Sequence, residues 1–216
     1  MAKKISDNCV ELVKSFEGCK LTAYQDSVGV WTIGYGTTNA DTSITGLEVK
    51  KGVTITKAQA LSYLKKSLNK KYLPKVLKYD TKYHFNQNQL DALVCFAYNI
   101  GSIDGLTANG SRSLKDIKTK ILAYNKAGGK ELAGLTKRRK AEKALFEQKL
   151  YARVTREKGG IIREKADPTT TKVLTVAKGK KVRVLLEKTG ADGNTWYKVK
   201  KGTTKGWMKK SAVNLI

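Results

Sequence analysis

The stretch SFEGCKLTAYQDSVGVWTIGYGTT, residues 15–38, changes its residue pattern directly after Glu17. From Ser6 to Glu17 the apolar residues recur at helical spacing, and Ser6 or Asp7 can cap the helix. Gly18 is the residue type that commonly ends a helix, so we expect Glu17 at the helix C-terminus. Further on, the glycine, β-branched and aromatic residues of GVWTIGYGTT predict a short β-hairpin sheet.

The position of Glu17 is unusual because the C-terminal end of a helix carries partial negative charge. That field disfavours the ionised carboxylate, so Glu17 is expected to hold its proton near neutral pH, as a general acid must. Asp26 precedes a glycine turn and should be solvated and ionised, and Thr32 follows in the hairpin. Two carboxyl groups in different environments suit cleavage of a glycosidic bond. On spacing alone, an ordinary exposed acid, a turn residue and a strand former are the better explanation of the three positions.

The chain up to about residue 154 is otherwise helical in pattern. TITKAQALSYLKKSLNKKYL (54–73) begins with Thr56 and Gln59 in capping-box spacing, and Pro74 bends or ends this helix. FNQNQLDALVCFAYNIGS (85–102) is the clearest helix, with Asn86 as its cap and Gly101 as its end. Residues 113–129 and 136–153 predict two more helices.

The last sixty residues have a different pattern. Short alternating segments at 172–176, 181–187, 195–200 and 205–210 are separated by glycine-containing turns. This pattern predicts a small all-β barrel. We therefore expect an α+β chain: a mostly helical domain with a small β-hairpin lobe over 1–154, a linker over 155–160, and the barrel over 161–216.

The composition points to a polyanionic partner and to no metal or cofactor. The formal net charge is +25, with 27 basic against 13 acidic side chains in residues 1–154 and 16 against 5 in residues 155–216. Nucleic acid, a phosphate-rich bacterial wall and a merely solvated lysine-rich surface are all compatible with this surplus. Three widely spaced cysteines and the single His84 form no metal-binding pattern. The N-terminal segment lacks the pattern of a secretory signal, so synthesis in the cytoplasm is expected.

Glu17, Asp26 and Thr32, followed directly by IGYG, resemble the catalytic signature of the phage-type lysozymes. These are muramidases of glycoside hydrolase family 24, common as phage endolysins. Residues 85–102 and 121–146 also resemble that family's central and C-terminal helical segments, so the resemblance spans about residues 6–150. One departure is Thr37, where many members carry histidine, which puts a local packing or ion-pair contact in doubt.

The resemblance implies a lysozyme-like fold and a role for each motif residue. Glu17 would protonate the glycosidic oxygen between N-acetylmuramic acid and N-acetylglucosamine. Asp26 would be the base or the charge that stabilises the transition state, and Thr32 would hold the attacking water. The family's outcome is inversion at the anomeric carbon.

Five further residues are weaker candidates for substrate binding. The aromatic rings of Trp31 and Tyr35 could line the sugar cleft, or simply pack in the hairpin. Asn99 and Ser102 could donate hydrogen bonds to N-acetyl groups, or cap helices. Arg138 could contact substrate carboxylates, or lie on a basic face exposed to solvent.

The C-terminal segment resembles a bacterial SH3-type (SH3b) module, which implies tethering to the cell wall. Trp196, Tyr197 and Trp207 could serve as ligand platforms, although so small a barrel needs at least one tryptophan for its core. The whole chain then predicts a monomeric phage or prophage endolysin that acts outside the cytoplasm on peptidoglycan. A Gram-positive wall with anionic polymers is the favoured target. Two alternatives remain: a lytic transglycosylase acting on the same bond, and a basic nucleic-acid-binding protein.

Overall fold

The computed structural model describes residues 3–216, so the first two residues of the predicted domain 1–154 lie outside the described part of the chain. The described residues form two compact units. The N-terminal unit consists of residues 3–81 and 90–146, and the C-terminal unit of residues 82–89 and 147–216. None of the helices in residues 3–216 combines the length and the apolar character that a membrane span requires.

The first part of the chain is mainly helical. Its helices are α1 (Asp7–Lys14), α2 (Thr42–Thr45), α3 (Lys57–Ser67), α4 (Leu73–Leu77), α5 (Asp80–Tyr83), α6 (Gln87–Ile100), α7 (Asp104–Thr107), α8 (Leu114–Lys120) and α9 (Ala133–Glu147). Its short strands are β1 (Lys20–Gln25), β2 (Trp31–Gly34), β3 (Thr37–Thr38), β4 (Lys126–Ala127) and β5 (Lys130–Glu131). The α+β class expected from the sequence is confirmed.

Helix α6 forms the centre of the N-terminal unit. From Leu90 to Ala97 its side chains are fully buried, which is more than the single apolar face that its sequence predicts. Asp91 is among these buried residues, and its carboxylate accepts hydrogen bonds from the backbone N–H and the hydroxyl of Ser6. Since the Ser6 hydroxyl also caps α1, this contact attaches the start of α1 to the core.

The hairpin lobe is a three-stranded antiparallel sheet in the order β1-β2-β3. Residues 53–55 extend it, because the backbone N–H of Ala23 donates to the carbonyl of Val53 and that of Ile55 donates to the carbonyl of Leu21. Gly34 has a φ of +64°, and a Cβ there would lie 3.2 Å from the Cβ of Ala60. A glycine is therefore needed where the sheet meets α3.

The C-terminal unit is a seven-stranded antiparallel sheet in the order β12-β6-β9-β10-β11-β7-β8. Its strands are β6 (Leu150–Val154), β7 (Gly160–Arg163), β8 (Lys172–Val176), β9 (Lys181–Thr189), β10 (Thr195–Lys201), β11 (Thr204–Lys209) and β12 (Val213–Leu215). Alternate apolar side chains form its core, among them Val154, Val184, Val199 and Met208.

The structure groups the residues around the predicted boundary at 154 differently. Strand β6 was expected to continue the last helix, but it pairs with β9 and β12 in the C-terminal sheet. Residues 155–160, predicted as a linker, connect β6 to β7 within that unit. Residues 82–89 also belong to it: the backbone N–H of Glu187 donates to the carbonyl of His84, and the amide of Asn88 donates to the carbonyl of Gln148.

Candidate active site

Glu17 lies in the turn after α1. The helix ends at Lys14, three residues earlier than the sequence predicts. The backbone N–H groups of both Phe16 and Glu17 still donate to the carbonyl of Val13, so the chain turns tightly before Gly18. The Glu17 side chain is 27% exposed, so part of it is accessible to solvent.

Arg138 on α9 fixes the Glu17 carboxyl group. Its Nη1 donates to Glu17 Oε1 over 2.6 Å, while its Nε donates to Glu142 Oε1 over 3.1 Å and its Nη2 to the carbonyl of Cys95 over 3.4 Å. Burial alone would lower the pKa of Arg138, but the neighbouring acidic groups raise it above its ordinary value. Arg138 therefore stays charged. The sequence left Arg138 either in contact with substrate carboxylates or on a basic face exposed to solvent, whereas the structure buries it beside Glu17.

A second ion pair continues this network into the core. Glu142 is fully buried, and its Oε2 lies 3.2 Å from Nε of the equally buried Arg139. Burial raises the pKa of Glu142, and the two arginines oppose that shift. Nη2 of Arg139 donates to Asn99 Oδ1 over 2.6 Å. The amide oxygen of Asn99 is thus used within the protein, and donation from its NH2 group to an N-acetyl group of the substrate stays a prediction.

Asp26 and Thr32 lie on the hairpin and are joined through Val30. Asp26 Oδ1 accepts the backbone N–H groups of Val28 and Val30 over 3.0 and 2.9 Å, and the Thr32 hydroxyl donates to the carbonyl of Val30 over 3.1 Å. Asp26 Oδ2 has no hydrogen-bond partner within residues 3–216, so it can accept a hydrogen bond from another molecule. Over the same residues, no hydrogen bond or ion pair joins Glu17 to Asp26 or Thr32.

Tyr72 and Tyr98 form an aromatic pair near Glu17. The Tyr98 hydroxyl donates to the carbonyl of Tyr35, and the rings of Tyr72 and Tyr98 have centroids 5.1 Å apart. Burial first, and then the negative charge of Glu17, raise the pKa of Tyr98, so this phenol remains a donor. Gly36, with a φ of +102°, allows the approach, since a Cβ there would lie 2.9 Å from the Tyr98 hydroxyl.

The weaker substrate-binding candidates have different surroundings. Trp31 is half-buried in β2, whereas Tyr35 is buried. The hydroxyl of Ser102 accepts the backbone N–H of Asp104 at the start of α7. Within residues 3–216, no group of three or more potential ligands could hold a metal ion.

The aromatic residues predicted to bind the wall lie in the C-terminal unit. Trp196 and Tyr197 are buried, and the indole N–H of Trp196 donates to Asp192 Oδ1 over 2.8 Å. Trp207 is half-buried, and Nζ of Lys188 lies 4.4 Å from the centroid of its ring. Of the three, Trp207 therefore offers the most ring surface to a ligand.

Sequence reasoning missed Glu142, Tyr98 and Cys95 as parts of the site. One local signal was present for Glu142, because it follows Arg138 by four residues, the spacing at which opposite charges meet on one helix face. Tyr98 and Cys95 carry no such signal, since both read as apolar positions of α6.

The chain is similar to proteins of known family in both parts. The Phage lysozyme family matches residues 14–142, and the Bacterial SH3 domain family matches residues 158–214. The endolysin of Lactococcus phage c2 is 38% identical over 164 residues, which cover 74% of this chain and 68% of that protein. The endolysin of Salmonella phage P22 is 35% identical over 147 residues, 66% of this chain and 97% of that protein.

Two solved structures share the lysozyme-like fold. The endolysin of Escherichia coli O157:H7 phage FAHEc1 has a TM-score of 0.57 at 32% identity, over 68% of this chain and 96% of that one. The muramidase domain of SpmX from Asticaccaulis excentricus also has a TM-score of 0.57, at 31% identity, over 68% of this chain and 99% of that one. This chain therefore belongs to the phage lysozyme family of muramidase-type glycoside hydrolases, with a bacterial SH3 domain at its C-terminus.

Proposed function

We propose that this endolysin hydrolyses the β-1,4 bond between N-acetylmuramic acid and N-acetylglucosamine, with Glu17 as the general acid. The observation that carries the proposal is the contact between Arg138 and Glu17. Arg138 is buried and bonded on three sides, so it holds the carboxyl group in one position while part of Glu17 stays exposed. Such fixed placement is what proton donation to a glycosidic oxygen requires.

The two oxygens of Glu17 have different roles in this proposal. Oε1 accepts from the Arg138 guanidinium, which has only donors and cannot share a proton on that oxygen. The transferable proton is therefore carried on Oε2.

Asp26 and Thr32 would act on the water molecule. Asp26 Oδ1 is held by two backbone N–H groups, so Oδ2 has a fixed direction and can accept a proton from the attacking water. The Thr32 hydroxyl donates to Val30, which leaves its oxygen as an acceptor for that water. Inversion with a water between acid and base requires roughly 6.5–9.5 Å between the two carboxyl groups.

The C-terminal SH3 domain would hold the enzyme on the wall. We infer a Gram-positive wall as the target, since the net charge of +25 suits its anionic polymers. The chain would act as a monomer outside the cytoplasm in which it is made.

Mass analysis of purified peptidoglycan after digestion tests this function. Hydrolysis adds one water and leaves a reducing N-acetylmuramic acid end, and proton NMR of the first product then reports inversion as the α-anomer. A 1,6-anhydro sugar end would instead identify a lytic transglycosylase. Cleavage of peptide or amide bonds, or tight binding to duplex DNA with no lysis, would overturn the proposal.

A further inference from the structure

The C-terminal unit contains a partly enclosed cavity of about 450 Å³. Its lining residues come from several segments, the first in the β6–β7 connection and the last in the turn after β11. The lining residues are Arg156, Ile161, Arg163, Pro168, Trp196, Lys209, Ser211 and Ala212.

All the charged side chains that line the cavity are basic. Lys209 is paired with Asp192 over 2.7 Å, and Nη1 of Arg163 donates to the carbonyl of Thr170. Arg156 is exposed, and its guanidinium makes no ion pair or hydrogen bond with any residue that the structure describes. The cavity therefore offers a free guanidinium, together with a second one whose other donors are available.

The remaining lining combines apolar surface with one hydroxyl. Ile161, Pro168 and Ala212 can contact a short carbon chain, and Ser211 can donate to an oxygen. Two guanidinium groups suit a phosphate or carboxylate, because their planar forks match such oxyanions. Residues 155–216 hold 16 basic and 5 acidic side chains, and a surplus of this size attracts a chain of repeated charges more than a single one.

We propose that this cavity binds one phosphodiester group of an anionic wall polymer, with Arg156 and Arg163 on the phosphate oxygens. The inference rests on the proposed wall-binding function and names its ligand. The apolar lining would contact the carbon spacer between successive phosphates, and the surrounding lysines would attract the neighbouring repeats.

A matched pair of variants tests the site. Arg156→Glu changes a cavity residue, and Lys205→Glu makes the same change of charge at an exposed position of β11 that does not line the cavity. Both are made in the full chain carrying Glu17→Gln, so that walls remain intact during binding. Arg156→Glu should weaken binding to Gram-positive walls about tenfold or more, the scale of a lost charge-assisted hydrogen bond. Lys205→Glu should weaken it less than about twofold, as expected of an exposed charge.

The identity of the ligand is tested on walls from which hydrofluoric acid has removed the phosphate polymers. Binding to these walls should fall to the level of the Arg156→Glu variant. Undiminished binding that still depends on Arg156 would assign the cavity to a peptidoglycan carboxylate and overturn the phosphodiester. If Arg156→Glu and Lys205→Glu weakened wall binding equally, the loss would reflect net charge alone, and the proposed site would be wrong.

NMR with glycerophosphoglycerol gives a direct readout. The indole N–H of Trp196 bonds to Asp192, which pairs with Lys209 in the cavity wall, so a bound anion should shift the Trp196 indole signal. The signal of Trp31, which belongs to the N-terminal unit and does not line the cavity, should stay in place. No shift up to high probe concentration would contradict the inference. Hydrolysis of soluble glycan fragments by the Arg156→Glu chain with Glu17 intact reports separately on the proposed function.

Discussion

The ion pair between Arg138 and Glu17 distinguishes the two oxygens of the Glu17 carboxyl group. Arg138 contacts Oε1 alone, so in the proposed mechanism the substrate oxygen approaches Oε2. Glu142 holds Arg138 from the opposite side, and Arg139 holds Glu142. The position of one surface carboxyl group thus depends on three buried charges that no substrate needs to touch.

Glu17→Gln should abolish lysis without unfolding the chain. Glutamine has no acidic proton to donate, but its amide oxygen can still accept from Arg138. We expect the rate of peptidoglycan hydrolysis to fall by about 10²–10⁴-fold, the range for loss of a general acid. Turbidity clearing and release of reducing ends measure this, with wall binding and the thermal midpoint as checks on folding. Glu11→Gln, an exposed acid on α1, should leave the rate unchanged. Residual lysis near the unmodified rate would remove Glu17 from the mechanism.

Glu142→Gln should destabilise the N-terminal unit. Glu142 is fully buried between Arg138 and Arg139, so losing its charge leaves the buried Arg139 without its anion and Arg138 paired with Glu17 alone. The free energy of unfolding should fall by about 3–5 kcal/mol, as when one partner of a buried ion pair is removed. Urea unfolding measures the change, and Glu131→Gln at an exposed position of β5 serves as the control. Similar unfolding curves for the two variants would mean that the buried network contributes little stability.

At the scale of single elements, the turn between β9 and β10 has a pH-dependent anchor. Lys209 first, and then Trp196 and Asn194, hold the pKa of Asp192 well below its usual range. Because the folded state lowers this pKa, the carboxylate contributes stability that is fully present above its unfolded value of about 3.9. That contribution is lost as the pH falls below this value towards the folded-state pKa.

The Asp192→Ala variant should therefore lose stability most at neutral pH. Its unfolding free energy should lie below that of the unmodified chain near pH 7, and the gap should narrow as the pH falls below about 3.9. Urea unfolding at several pH values, followed by tryptophan fluorescence, measures the gap. The other acidic groups titrate in both chains, so their contributions cancel in the difference between the two unfolding free energies. A gap that stays constant at low pH would contradict the assigned role of Asp192.

The sequence predicted individual elements well where local signals decide them. The capping box of Thr56 and Gln59 at α3 is confirmed, as is the end of α6 before Gly101. The segment at Leu150 was predicted as helix because it continues the pattern of α9, but it is strand β6. Its partners β9 and β12 lie about 30 and 60 residues further along the chain, and no local pattern reports such pairing.

The site was predictable to a similar extent. The motif places Glu17, Asp26 and Thr32 within one short stretch, and their catalytic roles remain proposals. The contact between Arg138 and Glu17 spans 121 residues of sequence and depends on α9 packing beside the turn after α1. The spacing of residues within the motif carries no information about this contact. The sequence could therefore suggest Glu17 as the acid, but not Arg138 as the residue that positions it.

At the scale of the whole molecule, the two units do not divide at a single point of the chain. Residues 82–89 precede most of α6, yet they belong with residues 147–216. Strand β6 likewise precedes the segment expected to link the two domains. A cut in that segment would therefore remove strands from a unit whose other parts remain behind.

Removal of residues 157–216 should destabilise the remaining chain as well as weaken wall binding. The cut leaves Leu150, Ala152 and Val154 of β6 without β9 and β12, and buried Phe85 without the rest of its unit. Each large apolar side chain exposed in this way costs about 1.5–3 kcal/mol. We expect a lower thermal midpoint and reduced hydrolysis of soluble glycan fragments, with a larger loss on whole walls. The full-length Arg156→Glu chain, which keeps every strand, should lose activity on walls alone. If the truncated chain kept the thermal midpoint of the full-length chain, residues 82–89 and β6 would not depend on the removed strands for stability. If it also lysed walls as well as the full-length chain, the proposed tethering by the C-terminal domain would be wrong.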